Sequence, residues 1–584
     1  MMFLILPVFA FCAENKALDL EPIVIARLKP YFLNSFSLKA DDFWASPVEC
    51  LSNLPIDLQS RSLGKGIQTD FSLRGSNFQG VLVLLNGQRI NDPQTGHYNS
   101  DIPLTKEDIQ SIDLIPGISS SLFGPDAIGG AINFLTKRPQ GRKLVLEGSY
   151  GSFNTKAGLL SFTEKIKDLS FRVSSEYARS SGFRYDTDFK KYTSSFTSFW
   201  DAPFGGLNLN FGFQDKEFGA FDFYTPGLGY PSREWTKTYL LDAGLNLEKG
   251  GLAIKPNFLW RRHKDKFMLD RTGIRSKHLS QHRSDMYTPN IYFQKQSSLL
   301  GNFGAGLEYG REEIHSTNLG KRYRDHASIF FDDTKDINQK FSLGSSFRID
   351  DFQGFDTAYT GSANLKYRIR EGGALTLSIA SSMRIPNFTE LYYNDPVSVG
   401  DPNLGSEKAV NYQLGYDHKR EDLSFGAAFF FREEKDMIDW VKREPSQPKW
   451  QAQNITQAGV FGLESYFKYD INKYIGLYSN YAYINKNIDD RGYLYKYGQN
   501  YCRHLANLVL NFNLPWGGQS LALNYKQKPG RSGWFILNSH SSLNIQKNSQ
   551  IFLDITNILG VEYEEITGIP QPGRAIEGGI RFQW

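Results

Sequence analysis

Residues 207–214 read Leu-Asn-Leu-Asn-Phe-Gly-Phe-Gln. Leu207, Leu209, Phe211 and Phe213 share one parity; Asn208, Asn210, Gly212 and Gln214 take the other. Successive side chains on a β-strand point to opposite faces, so the stretch predicts a strand with one apolar and one polar face. The same pattern recurs in 423–431, where Leu423, Phe425, Ala427, Phe429 and Phe431 share a face. It closes the chain, with Ile576, Gly578, Ile580, Phe582 and Trp584 opposite Arg581 and Gln583. A soluble sandwich or propeller would bury the apolar faces. A transmembrane barrel would turn them to lipid and line a wet lumen with the polar ones. Propeller blades repeat every 40 to 50 residues or so, and no such repeat is visible. Aromatic residues make up 14% of the 584 and there are 53 glycines, which favours strands, turns and interfacial girdles.

The pattern starts near residue 140. Residues 141–584 give about 20 residues per strand with its connection for 22 strands and about 28 for 16; barrels of 16 to 18 strands leave an aqueous channel, while 22-stranded ones carry a plugged lumen. Three short apolar strands precede it: Val81–Ile90 with an Asn86-Gly87 hairpin signal, Ser111–Gly117, and Ala131–Lys137. They predict a separate globule of about 100 residues, a size suited to a plug. The expected fold is an all-β transmembrane barrel of about 22 antiparallel strands with an N-terminal α+β plug domain in its lumen. Residues 1–13, MMFLILPVFAFCA, are too short to span a bilayer as a helix and read as a secretory signal peptide. The expected division is signal peptide 1–13, a tether at 14–39, plug 40–139 and barrel 140–584. Three cysteines (Cys12, Cys50, Cys502) exclude a disulfide scaffold and a four-thiolate metal site. With 66 basic against 62 acidic residues the net charge is only +4, and no nucleic-acid-binding tail is present.

Several blocks together resemble TonB-dependent outer-membrane receptors, most of all those for cobalamin. They are FSLRGSNFQGVLVLLNGQRINDP (71–93), SIDLIPGISSSLFGPDAIGGAINFLTKRP (111–139), RIPNFTELYYNDPVSVGDPNLGSEKA (384–409), GVFGLES (459–465) and DITNILGVEYEEITGIPQPGR (554–574). The resemblance implies a Gram-negative outer-membrane location, ligand-specific import and no catalytic centre. It implies coupling to the periplasmic TonB protein, outer-membrane lipid around a monomeric barrel, and a terminal Phe582-Gln583-Trp584 read by the barrel-assembly machinery. A cobalamin-like ligand is the first expectation and a ferric siderophore or other metal chelate the alternative. A passive porin would need neither plug nor coupling segment.

The coupling segment, the TonB box, is placed at Glu21, Pro22, Ile23, Val24, Ile25 and Ala26. β-Branched residues there suit an extended peptide that adds a strand to a partner sheet, although Pro22 lacks an N–H. By resemblance, residues 91–100 form an apical plug loop, so Gln94, His97, Tyr98 and Asn99 are expected to touch ligand, with Ser76, Asn77 and Phe78 as a neighbouring apex. Uncharged hydrogen-bonding groups and an aromatic face suit a large neutral or amphipathic ligand. Arg74 is expected to pair with a barrel carboxylate instead. No cofactor is expected. Asp186 with Asp188, and Asp332 with Asp333 and Asp336, offer carboxylates for calcium, but neither set has complete ligand spacing. Gly124 to Gly130 has phosphate-loop spacing without the following Lys, so no nucleotide site is expected. Two basic runs, Arg261-Arg262-His263-Lys264 and Lys321-Arg322-Tyr323-Arg324, fit either a mouth for anionic chelates or contact with lipid head groups.

Overall fold

The computed structural model describes residues 36–40, 45–117, 120–298, 301–369, 372–489 and 492–584. The expected signal peptide at 1–13 and TonB box at 21–26 lie outside them.

From Lys143–Gly151 to Ala575–Gln583, 22 antiparallel strands close into a barrel. The last strand seals against the first, with Gly578 opposite Tyr150 and Phe582 opposite Leu146. The period-2 pattern sorts the side chains as expected. Phe429 and Phe431 are 53% and 41% exposed on the outer wall, while the alternate residues Ala428 and Phe430 are buried in the lumen. Asn210 and Gln214 point inward and are buried. One rim has short turns, as from Ile166 to Leu169 and from Ala202 to Gly205. The other has long loops, as from Arg384 to Glu407 and from Ile488 to His504.

The lumen is filled by a five-stranded sheet in the order Phe36–Lys39, Ile109–Pro116, Gly130–Thr136, Val81–Leu85, Gln88–Arg89. All three strands expected in the plug are present. Asn86 and Gly87 both adopt positive φ, 51° and 84°, and close the tight hairpin read from the sequence. Val81–Leu85 runs parallel to Gly130–Thr136 and is buried on both faces, which explains its unbroken apolar run. The edge strand Phe36–Lys39 pairs with Ile109–Pro116, so the sheet takes in residues expected in the tether. Gly130, at φ +136°, is packed so tightly that a Cβ would stand 2.5 Å from the Ile115 carbonyl oxygen. The glycine-rich block therefore serves plug packing.

Plug and wall share one core: Leu51, Val83, Ile112 and Phe134 pack with the wall residues Leu240, Leu259 and Met286. Charge anchors the plug. Arg74 Nη2 donates to Glu464 Oε2 at 2.6 Å, Nε also reaches that carboxylate at 3.1 Å, and both side chains are fully buried. The expected role of Arg74 is thus observed. Removing one partner of a buried pair costs about 3–5 kcal/mol, so Arg74→Ala should lower the thermal unfolding transition of the plug while the barrel stays heat-modifiable. Arg89 bridges Asp126 and Glu312, and Asp92 meets Arg261. Asp101 meets Lys216; burial works to raise its carboxyl, but Lys216 and His263 override this and hold it down at about 2. A depressed carboxyl contributes stability above its unfolded pKa of about 3.9, lost as pH falls towards the folded value. Unfolding temperature in detergent should therefore hold from pH 8 to 5 and fall below about pH 4, with a smaller acid limb in Asp101→Asn.

Candidate ligand-binding site

The loop 91–100 lies at the long-loop end of the plug. It is pinned by its own side chains. Thr95 caps the turn Gly96–Tyr98, the Asp92 N–H donates to Asn99 Oδ1, and the Gln94 N–H donates to Asp92 Oδ1. The neighbouring turn Phe78–Gly80 is capped by Asn77, whose Oδ1 accepts from the Gln79 and Gly80 N–H groups at 3.0 and 3.1 Å. The Gly96 N–H donates to Gln79 Oε1, tying the two turns together. The His97 ring stacks on Phe78 with centroids 4.2 Å apart.

Of the seven expected contact residues, five are buried and brace the apex. Ser76 accepts from Ser72 Oγ through its backbone carbonyl. Phe78 lies under His97. Tyr98 donates to Glu234 Oε1 at 2.9 Å and stacks on His263. Asn99 holds Asp92. Gln94 is covered by a loop helix, Phe388–Tyr392, whose Thr389 N–H donates to the Gln94 carbonyl. The Gln94 amide oxygen is buried without a hydrogen-bond partner among the described residues. Asn77 and His97 are half-buried and front the mouth.

Around His97 stand loop residues that sequence reading did not single out. Tyr224 lies 5.6 Å and Tyr497 6.2 Å from its ring, centroid to centroid. Lys496 lies over Tyr497 and Trp440. The tyrosine-rich run 493–501 was the available signal. Beneath the rings, Asp70 forms an ion pair with Arg61 at 2.7 Å and lies 2.9 Å from His97 Nδ1. Burial holds the His97 pKa below the usual histidine range, against the pull of Asp70, so the ring is neutral at pH 7. The mouth therefore offers a neutral imidazole, tyrosine faces and a lysine: a surface for a flat or amphipathic ligand.

The remaining acidic sets have protein partners. Arg233 and Arg271 hold Asp186, and Arg233 also holds Asp188. Asp332, Asp333 and Asp336 lie at the short-turn end of the strand Gly320–Asp336; Asp336 pairs with Arg368 and Asp332 accepts from Tyr292. Among the described residues no group of three His, Cys, Asp or Glu side chains is arranged to hold a metal.

Plug and wall do not touch uniformly. Asn480, Asn507 and Asn524 occupy one register row on adjacent strands. Their amides donate to the plug carbonyls of Asn53, Leu54 and Ser52, and Asn507 and Asn524 also donate along the row. A cavity of about 240 Å³ lies on the long-loop side of this belt, lined by Ser52, Phe153, Asn524 and Tyr563. A larger one, about 1130 Å³, lies on the short-turn side, lined by Asn53, Leu54, Asn511 and Lys473.

Comparison with known proteins agrees with this architecture. A family model described as TonB dependent receptor-like, beta-barrel matches residues 167–558, and one for the TonB-dependent Receptor Plug Domain matches 47–131. The Vitamin B12 transporter BtuB of Photobacterium profundum is 25% identical over 488 residues, covering 79% of this chain and 78% of that protein. The ferric enterobactin receptor PfeA of Pseudomonas aeruginosa has a similar fold at TM-score 0.77 and 14% identity, covering 94% of this chain and 99% of that one. The copper transporter OprC does so at TM-score 0.80 and 14% identity, with the same coverage.

Proposed function

The chain belongs to the TonB-dependent receptor family, and from that membership we propose that it imports a scarce, bulky, cobalamin-like ligand across a Gram-negative outer membrane, driven by TonB. The observation that carries the reading is the closed lumen. Among the described residues the plug fills the lumen and is held by a shared core and buried ion pairs, which favours transport that does work on the plug over a passive porin. Short turns face the periplasm and long loops the outside in barrels of this kind. Ligand then lands on His97, Asn77, Tyr224 and Tyr497. The site needs no catalytic group.

Cobalamin is favoured by the B12-transporter relatives and by the uncharged, aromatic apex. Ferric chelates are the second reading, favoured by Lys496 at the mouth and by Arg322, which lies over Tyr392 at 4.5 Å. Neighbouring folds at 14% identity do not choose between them. The route is the side of the asparagine belt. Neutral amide contacts release more readily than buried ion pairs; on the long-loop side of the belt one plug–wall ion pair, Lys526 with Asp57, must also break, and the two cavities already flank that seam.

The test is radiolabelled cobalamin binding to outer-membrane vesicles carrying the protein, with and without calcium. Saturable binding that falls about tenfold in His97→Ala, the loss of one stacked contact, supports cobalamin. Absent binding beside a heat-modifiable barrel overturns cobalamin and moves ferric chelates to the front.

A further inference from the structure

Outside the lumen, one sector of the wall carries a charge pattern that transport does not use. Register puts Lys237 opposite Lys264, Lys264 opposite Arg283, Arg283 opposite His315, and His315 opposite Lys321. The neighbours Thr236, Thr238, His263, Ser284 and Ile314 of the first four are buried towards the lumen, so those four point outward, and Lys321 shares the parity of exposed Tyr323 opposite that of buried Arg324. Facing side chains on neighbouring strands stand about 5 Å apart, so the row runs for roughly 20 Å around the barrel.

Compensation is incomplete. Lys237 pairs with Asp215, and Asp285 takes both Arg262 and Arg283. Lys264, Lys266 and Lys321 form no ion pair with any described residue. Lys266 instead lies 4.9 Å from the Trp235 ring. A groove of about 640 Å³ follows the row, lined by Trp235, Lys237, Lys264, Lys266, Arg283 and His315. On the side towards the short turns, Tyr239 and Tyr323 and then Trp260 and Tyr287 also face outward. Such aromatics mark the level where acyl chains meet head groups, which puts the cationic row one step further out, at head-group depth. Like charges directly opposite one another on a sheet are destabilising. Lys264 and Lys321, the members of the row without an ion pair among the described residues, are therefore stabilised by anions in the surroundings.

We propose that this sector binds the phosphorylated head group of an anionic glycolipid of the surrounding leaflet, with Lys264, Arg283 and Lys321 contacting phosphate and Tyr239 and Tyr323 resting on the sugar–acyl boundary. The proposal depends on the outer-membrane placement but not on which ligand is imported. A lipid is favoured over free phosphate because the cations and the membrane-facing aromatics are parts of one surface. The site faces the bilayer, so its occupant is held as a boundary lipid and does not enter the lumen.

The experiment is native mass spectrometry of the full chain in detergent, titrated with diphosphorylated lipid A. Lys264→Gln/Arg283→Gln/Lys321→Gln is compared with wild type and with the outward pair Lys408→Gln/Lys435→Gln on another wall. Each basic residue beside an anionic surface is worth roughly a factor of five, so the triple variant should bind about 100-fold more weakly. The Lys408/Lys435 variant should match wild type, and all three proteins should keep heat-modifiable barrels. Dephosphorylated lipid A should fail to bind wild type tightly, and inorganic phosphate should fail to displace the lipid. Equal binding by the triple variant, or tight binding of the dephosphorylated lipid, overturns the proposal. Displacement by inorganic phosphate at lipid-like concentration overturns the lipid assignment in favour of a free-anion site.

Discussion

Ile25→Pro should reduce uptake to the level of cells lacking the receptor while leaving surface binding of ligand unchanged. The argument starts from strand addition. An extended peptide that joins a partner sheet is held by its own main-chain N–H and C=O groups. Proline removes one donor and fixes φ, in a box where Pro22 already lacks an N–H. Ile25→Val keeps the donor and the β-branched side chain and should retain uptake. With the coupling segment at residues 21–26, as the resemblance implies, the connection to the plug is short, because the edge strand of the plug sheet begins at Phe36. That strand is four residues long and pairs on one side, with Phe36 opposite Leu114 and Lys39 opposite Ser111. A pull from the N-terminal side therefore loads a four-residue edge strand of the sheet first. Binding is untouched because His97 and its tyrosines lie at the other end of the plug. Parallel binding and uptake assays on whole cells check both halves. Uptake that survives Ile25→Pro would move the coupling segment away from 21–26.

The second large effect concerns the route. In a Cys50→Ala/Cys502→Ala background, a short thiol cross-link between Ser52→Cys and Asn524→Cys should abolish uptake and preserve binding. Reduction should restore uptake. Asn524 donates to the Ser52 carbonyl at 3.2 Å, so the two positions are adjacent across the seam. The control joins Gln88→Cys to Asn290→Cys, where the Asn290 amide donates to Gln88 Oε1 on a different wall. If the plug opens along the asparagine belt, the control cross-link leaves uptake largely intact. If both cross-links block uptake, the plug must leave the wall as a whole, and the local route is wrong.

The sequence made the barrel legible because period-2 alternation is imposed by lipid outside and water inside, strand after strand. Leu207 to Gln214 carries it in eight residues. Asn86-Gly87 announced its hairpin because few other pairs tolerate two positive φ values. Arg74 was legible as a structural ion pair because a buried guanidinium requires a carboxylate, but its partner Glu464 lies 390 residues away and only the closed barrel brings them together. The plug sheet extends to Phe36 because pairing with Ile109–Pro116 is set by tertiary contact, which local composition does not report. The proposed ligand residues were the least legible. Resemblance pointed to the loop 91–100, but a loop that must be rigid spends most of its polar groups on itself. Tyr98 is taken by Glu234 and Asn99 by Asp92. The groups left facing the mouth include Tyr224, Tyr497 and Lys496, which come from loops far apart in sequence. The asparagine belt was invisible for the same reason: Asn480, Asn507 and Asn524 meet only through strand register.

Uptake of radiolabelled cobalamin, and of ferric chelates beside it, in energised cells and in cells treated with an uncoupler tests the central claim most directly. Energy-coupled import predicts saturable uptake of one ligand class that disappears with the uncoupler while surface binding persists. Uptake that rises in proportion to concentration and ignores the uncoupler would contradict the account and make the protein a passive channel.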